Sequence, residues 1–115
     1  MAISLSPYLS FKSNAREAME FYKTVFGGKL DISTFKEFHA SEDPAEDNLV
    51  MHSTLTGDRV TFMSSDTPSR MEYKPGTNIS MSLAGDPEEE ATLRGYFEKL
   101  SEGGTVTMPL EKAVG

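Results

Sequence analysis

The chain has 115 residues, of which 37% are hydrophobic and 25% charged, a size and composition that fit one globular domain. Eleven basic against 18 acidic residues give a net charge of −7, which disfavours binding to nucleic-acid phosphates or to an anionic membrane surface. The lack of cysteine excludes disulfides, cysteine-ligated metal sites and a thiol nucleophile. With no apolar run near the roughly 20 residues of a membrane span and no basic leader, we expect a soluble cytoplasmic protein.

The first regular elements are a strand and a helix. Residues 3–11 alternate apolar and polar side chains, which predicts a strand with one apolar face. Asn14 followed by Glu17 is the pattern of a helix N-cap with its capping-box partner. Apolar residues then recur at helical spacing: Ala18, Phe21, Tyr22, Val25 and Phe26. Gly27 and Gly28 predict the end of this helix.

The region after this helix is predicted to be rich in strands. Two or three strands are expected, over residues 30–38, 49–55 and 59–65. Residues 56–58 have the composition of a hairpin turn between the last two. The acidic segment 39–48 and the proline-containing segment 66–77 are expected to be exposed loops.

The second half repeats the pattern of the first. Residues 78–83 alternate again, and Asp86, Pro87 and Glu89 predict the start of a second amphipathic helix, which Gly103 ends. The capping residues of the two helices are offset by 72 positions, and the matching strand parity favours two copies of one supersecondary module. The alternative is that any two capped amphipathic helices look alike.

The two copies differ in length. After Gly28, 38 residues run to Asp66, enough for three strands, whereas 11 residues follow Gly104. Residues 105–110 can supply one strand, so two strands that the repeat predicts are absent. Either the second copy is reduced, or the chain is a C-terminally shortened version of a longer protein. We favour the second explanation.

Several segments carry a family resemblance: residues 7–11 (PYLSF), 14–22 (NAREAMEFY), 25–28 (VFGG), 51–52 (MH), 78–80 (NIS) and 103–110 (GGTVTMPL). From about Pro7 to Lys112 the chain resembles the PhnB-like branch of the glyoxalase/bleomycin-resistance/dioxygenase superfamily, which has the vicinal oxygen chelate fold. The resemblance implies an α+β fold of paired βαβββ modules whose sheets curl around a small-molecule cavity, usually in a homodimer. We therefore expect a single glyoxalase-like domain over 1–115, with a first module at about 1–66 and a second at about 77–115 that lacks its last two strands.

The resemblance also implies where a metal would bind. Catalytic members hold a divalent metal with His, Gln or Glu side chains on the cavity face of each module's first strand. Strand parity places Leu5, Leu9 and Phe11 under the first helix, so the residues between them face the cavity. The positions that match the metal ligands are then Ser6 and Asn78. Hydroxyl and amide oxygens are poor ligands for zinc, nickel or iron, so we predict no metal cofactor.

A set of polar, uncharged side chains is the candidate ligand-binding site. His52 is either a ligand anchor or acid/base, or a half-buried histidine satisfied by its neighbours, and the second interpretation is favoured. Tyr8 either hydrogen-bonds a ligand or fills the sheet surface. The full set of candidates is Ser6, Tyr8, Ser10, His52, Asn78 and Ser80. No catalytic residue is assigned.

Three functions are compatible with these features. The first is a protein that binds a small molecule without a metal, and with no nucleic-acid or membrane partner. The second is a divalent-metal-dependent lyase or dioxygenase with a metal site that includes His52. The third is a module that only mediates protein interactions. A nucleotide-like methyl donor is not expected, because no glycine-rich loop follows a strand.

Overall fold

A computed structural model describes residues 3–110 of the chain. The chain divides into two compact units, Met1–Gly76 and Thr77–Gly115. The elements of the first unit are β1 (Tyr8–Phe11), α1 (Ala15–Phe26), β2 (Lys29–Thr34), β3 (Val50–Thr56) and β4 (Thr61–Asp66). Their order is βαβββ, and together with the helix of the second unit they make the α+β class that was predicted.

The four strands form one mixed sheet in the order β1-β4-β3-β2. Consecutive strands β2, β3 and β4 pair antiparallel, whereas β1 pairs parallel with β4. Between β3 and β4 the chain turns through a hairpin that the N–H of Gly57 closes by donating to the Val60 carbonyl at 2.8 Å. The β2–β3 register shifts between Ser33 and Thr34, which places an irregularity beside His52.

Helix α1 packs on one face of this sheet. Met19 of the helix and Leu55 of β3 are fully buried, and Phe62 of β4 is 8% exposed. The rings of Tyr22 and Phe26 meet the Phe62 ring edge-on, with centroids 5.2 and 6.1 Å away. These aromatic contacts fix the helix over the middle of the sheet. The opposite face, called the open face below, carries Tyr8, Ser10, His52, Thr54, Met63 and Ser65.

The start of α1 is capped by a residue distant in sequence. Asn14 is the N-cap residue of α1, as predicted, but its side chain makes no capping hydrogen bond. Instead, the Ala15 N–H donates to Oδ1 of Asp66 at 2.9 Å, and the Val50 N–H donates to Oδ2 at 2.8 Å. Asp66 is 4% exposed, so its carboxylate satisfies two backbone donors inside the protein and suits the positive end of the helix dipole.

The glycine pair ends α1 as predicted. Gly27 and Gly28 have φ values of +72° and +94°, which favour glycine. A Cβ atom on Gly28 would also collide with the Thr56 carbonyl oxygen and lie 2.8 Å from the Cα of Gly57. The glycine therefore allows the chain leaving the helix to pass close to the β3–β4 hairpin.

Two predicted strands of the first unit are shorter than expected. Ile3 and Leu5 precede β1 and are 99% exposed, so the prediction that Leu5 packs under α1 is wrong. The β1–β4 ladder begins at Tyr8, paired with Met63, because Pro7 has no N–H to donate. In this register Leu5 lies beyond the start of β4 at Thr61. β2 ends at Thr34 rather than residue 38, since the Glu37 carboxylate accepts hydrogen bonds from the Thr34 N–H and hydroxyl and turns the chain.

Over residues 77–110 of the second unit, the chain forms the helix α2 (Glu90–Ser101), preceded by a 3₁₀ turn at Pro87–Glu89. The side chain of Asp86 makes no capping bond, contrary to prediction. The predicted strands at 78–83 and 105–110 are also absent from the part of the chain that is described. Alternation alone cannot make a strand, because the backbone needs a ladder partner. The apolar residues of these segments are consequently exposed, such as Ile79 at 85% and Met108 at 71%.

The shared carboxylate gives a first prediction. Asp66→Ala should lower the free energy of unfolding by about 2–4 kcal/mol, because two buried N–H groups lose their acceptor. Asp31→Ala is the matched control: this β2 carboxylate is 64% exposed and pairs with Lys29 at 3.8 Å, so its loss should cost less than about 1 kcal/mol. Urea denaturation followed by circular dichroism measures both, and equal losses would contradict the role given to Asp66.

The close approach at Gly28 gives a second prediction. Gly28→Ala should destabilise the first unit by about 2–4 kcal/mol, since a side chain there is strained and collides with backbone. Gly95→Ala is the same change inside α2, with no atom within 4 Å of the added Cβ, and should leave stability unchanged or raise it by up to about 1 kcal/mol. Thermal unfolding of the two variants should show shifts of opposite sign or very different size.

Candidate functional site

A chain of three side chains crosses the open face. The Tyr8 hydroxyl lies 3.2 Å from Nδ1 of His52, and Nε2 of His52 lies 3.0 Å from Oγ1 of Thr54. The tyrosine and imidazole rings have centroids 5.8 Å apart and are tilted by 41°. We call this arrangement the Tyr8–His52–Thr54 chain.

The sheet topology brings these residues together. β1 and β3 both neighbour β4, and Tyr8 and Thr54 are both register partners of Met63. Their side chains therefore stand on the same face, on either side of the methionine. His52 lies two residues before Thr54 and so shares that face. Tyr8 is 49% exposed, which leaves about half of the residue accessible to a ligand.

The Tyr8–His52–Thr54 chain involves both ring nitrogens of His52. Each nitrogen has a hydroxyl neighbour, which is the pattern of a histidine satisfied by its surroundings. The chemistry available is hydrogen bonding by two hydroxyls and one imidazole, each of which can donate or accept. The tyrosine ring and Met63 lie beside them. Within residues 3–110 no carboxylate hydrogen-bonds to His52, so the orienting group that would make it a base for either hydroxyl is missing.

The other sequence candidates are distributed over both units. Ser10 lies on the open face, where Ser65 is its register partner. Ser6 precedes β1 and is half-buried. Asn78 and Ser80 belong to the second unit, and both are exposed and outside any strand. Of the six candidates, the structure places Tyr8 and His52 in direct contact.

A cleft of about 370 Å³ opens at one end of the open face. Its floor is formed by residues of the sheet: Ser10, Met51, Ser65 and Asp66. Phe35 forms part of its wall, and the segment 67–75, called the strap below, supplies the rest. The strap residues that line it include Met71, Glu72, Tyr73, Lys74 and Pro75. Sequence reasoning missed them because a loop without periodicity does not show which of its apolar residues face a cavity.

The first half of the strap is tied to the sheet and its neighbouring loop. Thr67 donates from its hydroxyl to the Phe11 carbonyl at 2.9 Å, and the Ser69 N–H donates to the Glu46 carboxylate at 2.7 Å. The Arg70 guanidinium lies over the Phe35 ring, 5.8 Å from its centroid. These contacts hold Phe35, which is 5% exposed, as a fixed wall.

The charged groups of the cleft nearly cancel. Both oxygens of Asp66 accept backbone hydrogen bonds. Glu72 and Lys74 form an exposed pair, with Oε1 and Nζ 3.4 Å apart. Counting these three groups, the lining has a formal charge of −1.

Within residues 3–110, no three His, Asp or Glu side chains converge as a metal-binding group. None of the helices in the same range has the length and apolar character needed to cross a bilayer.

The contact between Tyr8 and His52 gives a third prediction. A phenol is a good donor, so we expect its hydroxyl to donate to Nδ1 and the Nε2–H of His52 to donate to Thr54. Imidazole ¹⁵N spectra should then show neutral His52 mainly as the Nε2–H tautomer, and Tyr8→Phe should shift the Nδ1 signal. His39, which lies in an exposed turn, serves as the internal control. An unchanged His52 spectrum in Tyr8→Phe would contradict the contact.

Comparison with known proteins agrees with this architecture. A crystal structure of protein PA1353 from Pseudomonas aeruginosa matches 97% of this chain and 82% of its own, with a TM-score of 0.77 and 33% identity. A putative 3-demethylubiquinone-9 3-methyltransferase, PhnB protein, from Bacillus cereus matches 93% of this chain and 80% of its own, with a TM-score of 0.63 and 27% identity. No curated protein is significantly similar. The family model described as 3-demethylubiquinone-9 3-methyltransferase matches residues 3–114, and the chain belongs to this PhnB-like family.

Proposed function

We propose that the protein binds a small, partly apolar molecule on the open face of its first unit, without a divalent metal, as a member of the glyoxalase/bleomycin-resistance/dioxygenase superfamily. The observation that carries the proposal is the Tyr8–His52–Thr54 chain. It aligns neutral donors and acceptors beside a tyrosine ring on a sheet face that α1 leaves uncovered. Hydrophobic surface with a few placed polar groups is the usual composition of a small-molecule site.

The donor set does not fit a divalent metal. The imidazole nitrogens of His52 both have hydroxyl neighbours, and the positions implied for metal ligands hold Ser6 and Asn78. Neither an alcohol nor an amide oxygen competes well with imidazole or carboxylate for zinc, nickel or iron. The metal-dependent lyase or dioxygenase is therefore the weaker candidate.

Methyl transfer is the activity named in the family description, and it is not part of this proposal. The connection from β1 to α1, residues 12–14, contains no glycine, so it is not a nucleotide-binding loop of the strand–glycine–helix type. The first N–H of α1 is also already bound to the Asp66 carboxylate. A nucleotide-like donor would find neither the loop nor the free helix end that such sites use.

The test is a binding screen on the full chain with neutral single-ring and short-chain carbonyl and phenol compounds, read by native mass spectrometry and thermal shift. For a compound that binds, His52→Asn should raise Kd about five- to fiftyfold, because a half-buried anchor and its orientation of Tyr8 are lost. His39→Asn is the matched control at the other histidine and should leave Kd unchanged.

Metal analysis of the same preparations separates the alternatives. Stoichiometric zinc, nickel, manganese or iron that disappears in His52→Asn would overturn the metal-free proposal in favour of the lyase or dioxygenase. Binding that is equal in wild type and His52→Asn would show that the ligand site lies elsewhere.

A further inference from the structure

The cleft at the end of the open face differs from the Tyr8–His52–Thr54 chain in both shape and chemistry. We propose that it binds a neutral, single-ring aromatic compound with a phenol or carbonyl group, the ring lying against its thioether and aromatic walls and the polar group on Ser10 and Ser65. This inference shares with the proposed function only the open face: it adds a second site with its own ligand class, and its failure leaves the proposed function at the Tyr8–His52–Thr54 chain standing.

The size of the cleft sets the size of the occupant. Its volume of about 370 Å³ lies near the lower end of the range of ligand pockets, roughly 300–1,000 Å³. A single substituted ring fits this space.

The two floor serines select a polar group. Ser10 and Ser65 are register partners on β1 and β4, and within the described residues neither hydroxyl forms a hydrogen bond. The contrast is with Ser53 and Ser64 on the face beneath α1, whose hydroxyl oxygens are 2.6 Å apart and satisfy each other. A hydroxyl both donates and accepts, so the pair on the floor of the cleft suits a phenol or a carbonyl equally.

The walls select an aromatic ring. Phe35 lines the cleft, and the Arg70 guanidinium lies over its ring. Met51, Met71 and Tyr73 complete the apolar surface. Thioethers adapt to irregular shapes and make favourable contacts with aromatic rings, and tyrosine adds a second ring to the lining.

The charges select against an anion. The lining has a formal charge of −1 and the chain a net charge of −7, while Lys74, the one lining cation, already pairs with Glu72. A carboxylate on the ligand would have to displace Glu72 or remain unpaired, so a neutral substituent is favoured.

The experiment uses the full chain with ¹³C-methyl methionine and two probes, 4-hydroxyacetophenone and its anionic analogue 4-hydroxybenzoate. With 4-hydroxyacetophenone, the methyl signals of Met51 and Met71 should shift and saturate. Those of Met19, which is fully buried between α1 and the sheet, and of exposed Met81 in the second unit should stay in place. 4-Hydroxybenzoate should bind about tenfold or more weakly.

Variants that keep the fold test the individual contacts. The double variant Ser10→Ala/Ser65→Ala should raise Kd for 4-hydroxyacetophenone roughly tenfold, through loss of two hydrogen bonds, whereas Ser69→Ala on the exposed strap should not change it. Met71→Ala should raise Kd about two- to tenfold through loss of sulfur–ring contact, with Met81→Ala as the matched exposed methionine.

Two results would overturn the inference. Shifts confined to the imidazole signals of His52, with Met51 and Met71 unmoved, would place the ligand on the Tyr8–His52–Thr54 chain and leave the proposed function standing. The absence of any saturable shift with either probe would reject the ligand class, while the broader carbonyl and phenol screen would decide the proposed function separately.

Discussion

The carboxylate of Asp66 is the interaction on which the first unit depends. It accepts one hydrogen bond from the first turn of α1 and one from the start of β3, and it stands at the last residue of β4. A helix and a strand whose bonded residues are 51 and 16 positions from Asp66 thus meet at one buried group. The carboxylate fixes α1 on one side of the sheet, so the helix does not cover the other side, and the strap begins directly after Asp66.

The two sides of the sheet put the same residue type to different uses. Under α1, Ser53 and Ser64 bond to each other, which allows two hydroxyls to be buried at little cost. On the open face, Ser10 and Ser65 are also register partners but point into the cleft. Pleating alternates side chains across a strand, so adjacent residues 64 and 65 contribute separately to stability and to the candidate site.

Local patterns predicted the local parts of this structure. Helical spacing and a glycine pair defined α1, and period-two alternation put Tyr8 and Ser10 on the face opposite Leu9. The cap by Asp66 could not be predicted, because that residue lies 51 positions from Ala15. The cleft could not be predicted for the same reason, because its floor comes from three strands and its wall from a strap without periodicity. Residues 78–83 do alternate, but a strand forms only where a partner strand accepts its backbone hydrogen bonds, and the segment's own sequence does not show whether such a partner exists.

The geometry of His52 favours recognition over proton transfer. An imidazole acts as a base on a neighbouring hydroxyl when a carboxylate or a similar acceptor holds the proton on its other nitrogen. In this protein Tyr8 and Thr54 place hydroxyls at the two nitrogens of His52, and within residues 3–110 no carboxylate bonds to the ring. The ring is therefore held in place, and what it orients is the Tyr8 hydroxyl at the half-exposed end. A ligand on the open face would contact Tyr8. His52 could bind that ligand only by losing one of its two hydrogen bonds, so its role is to hold Tyr8 in position.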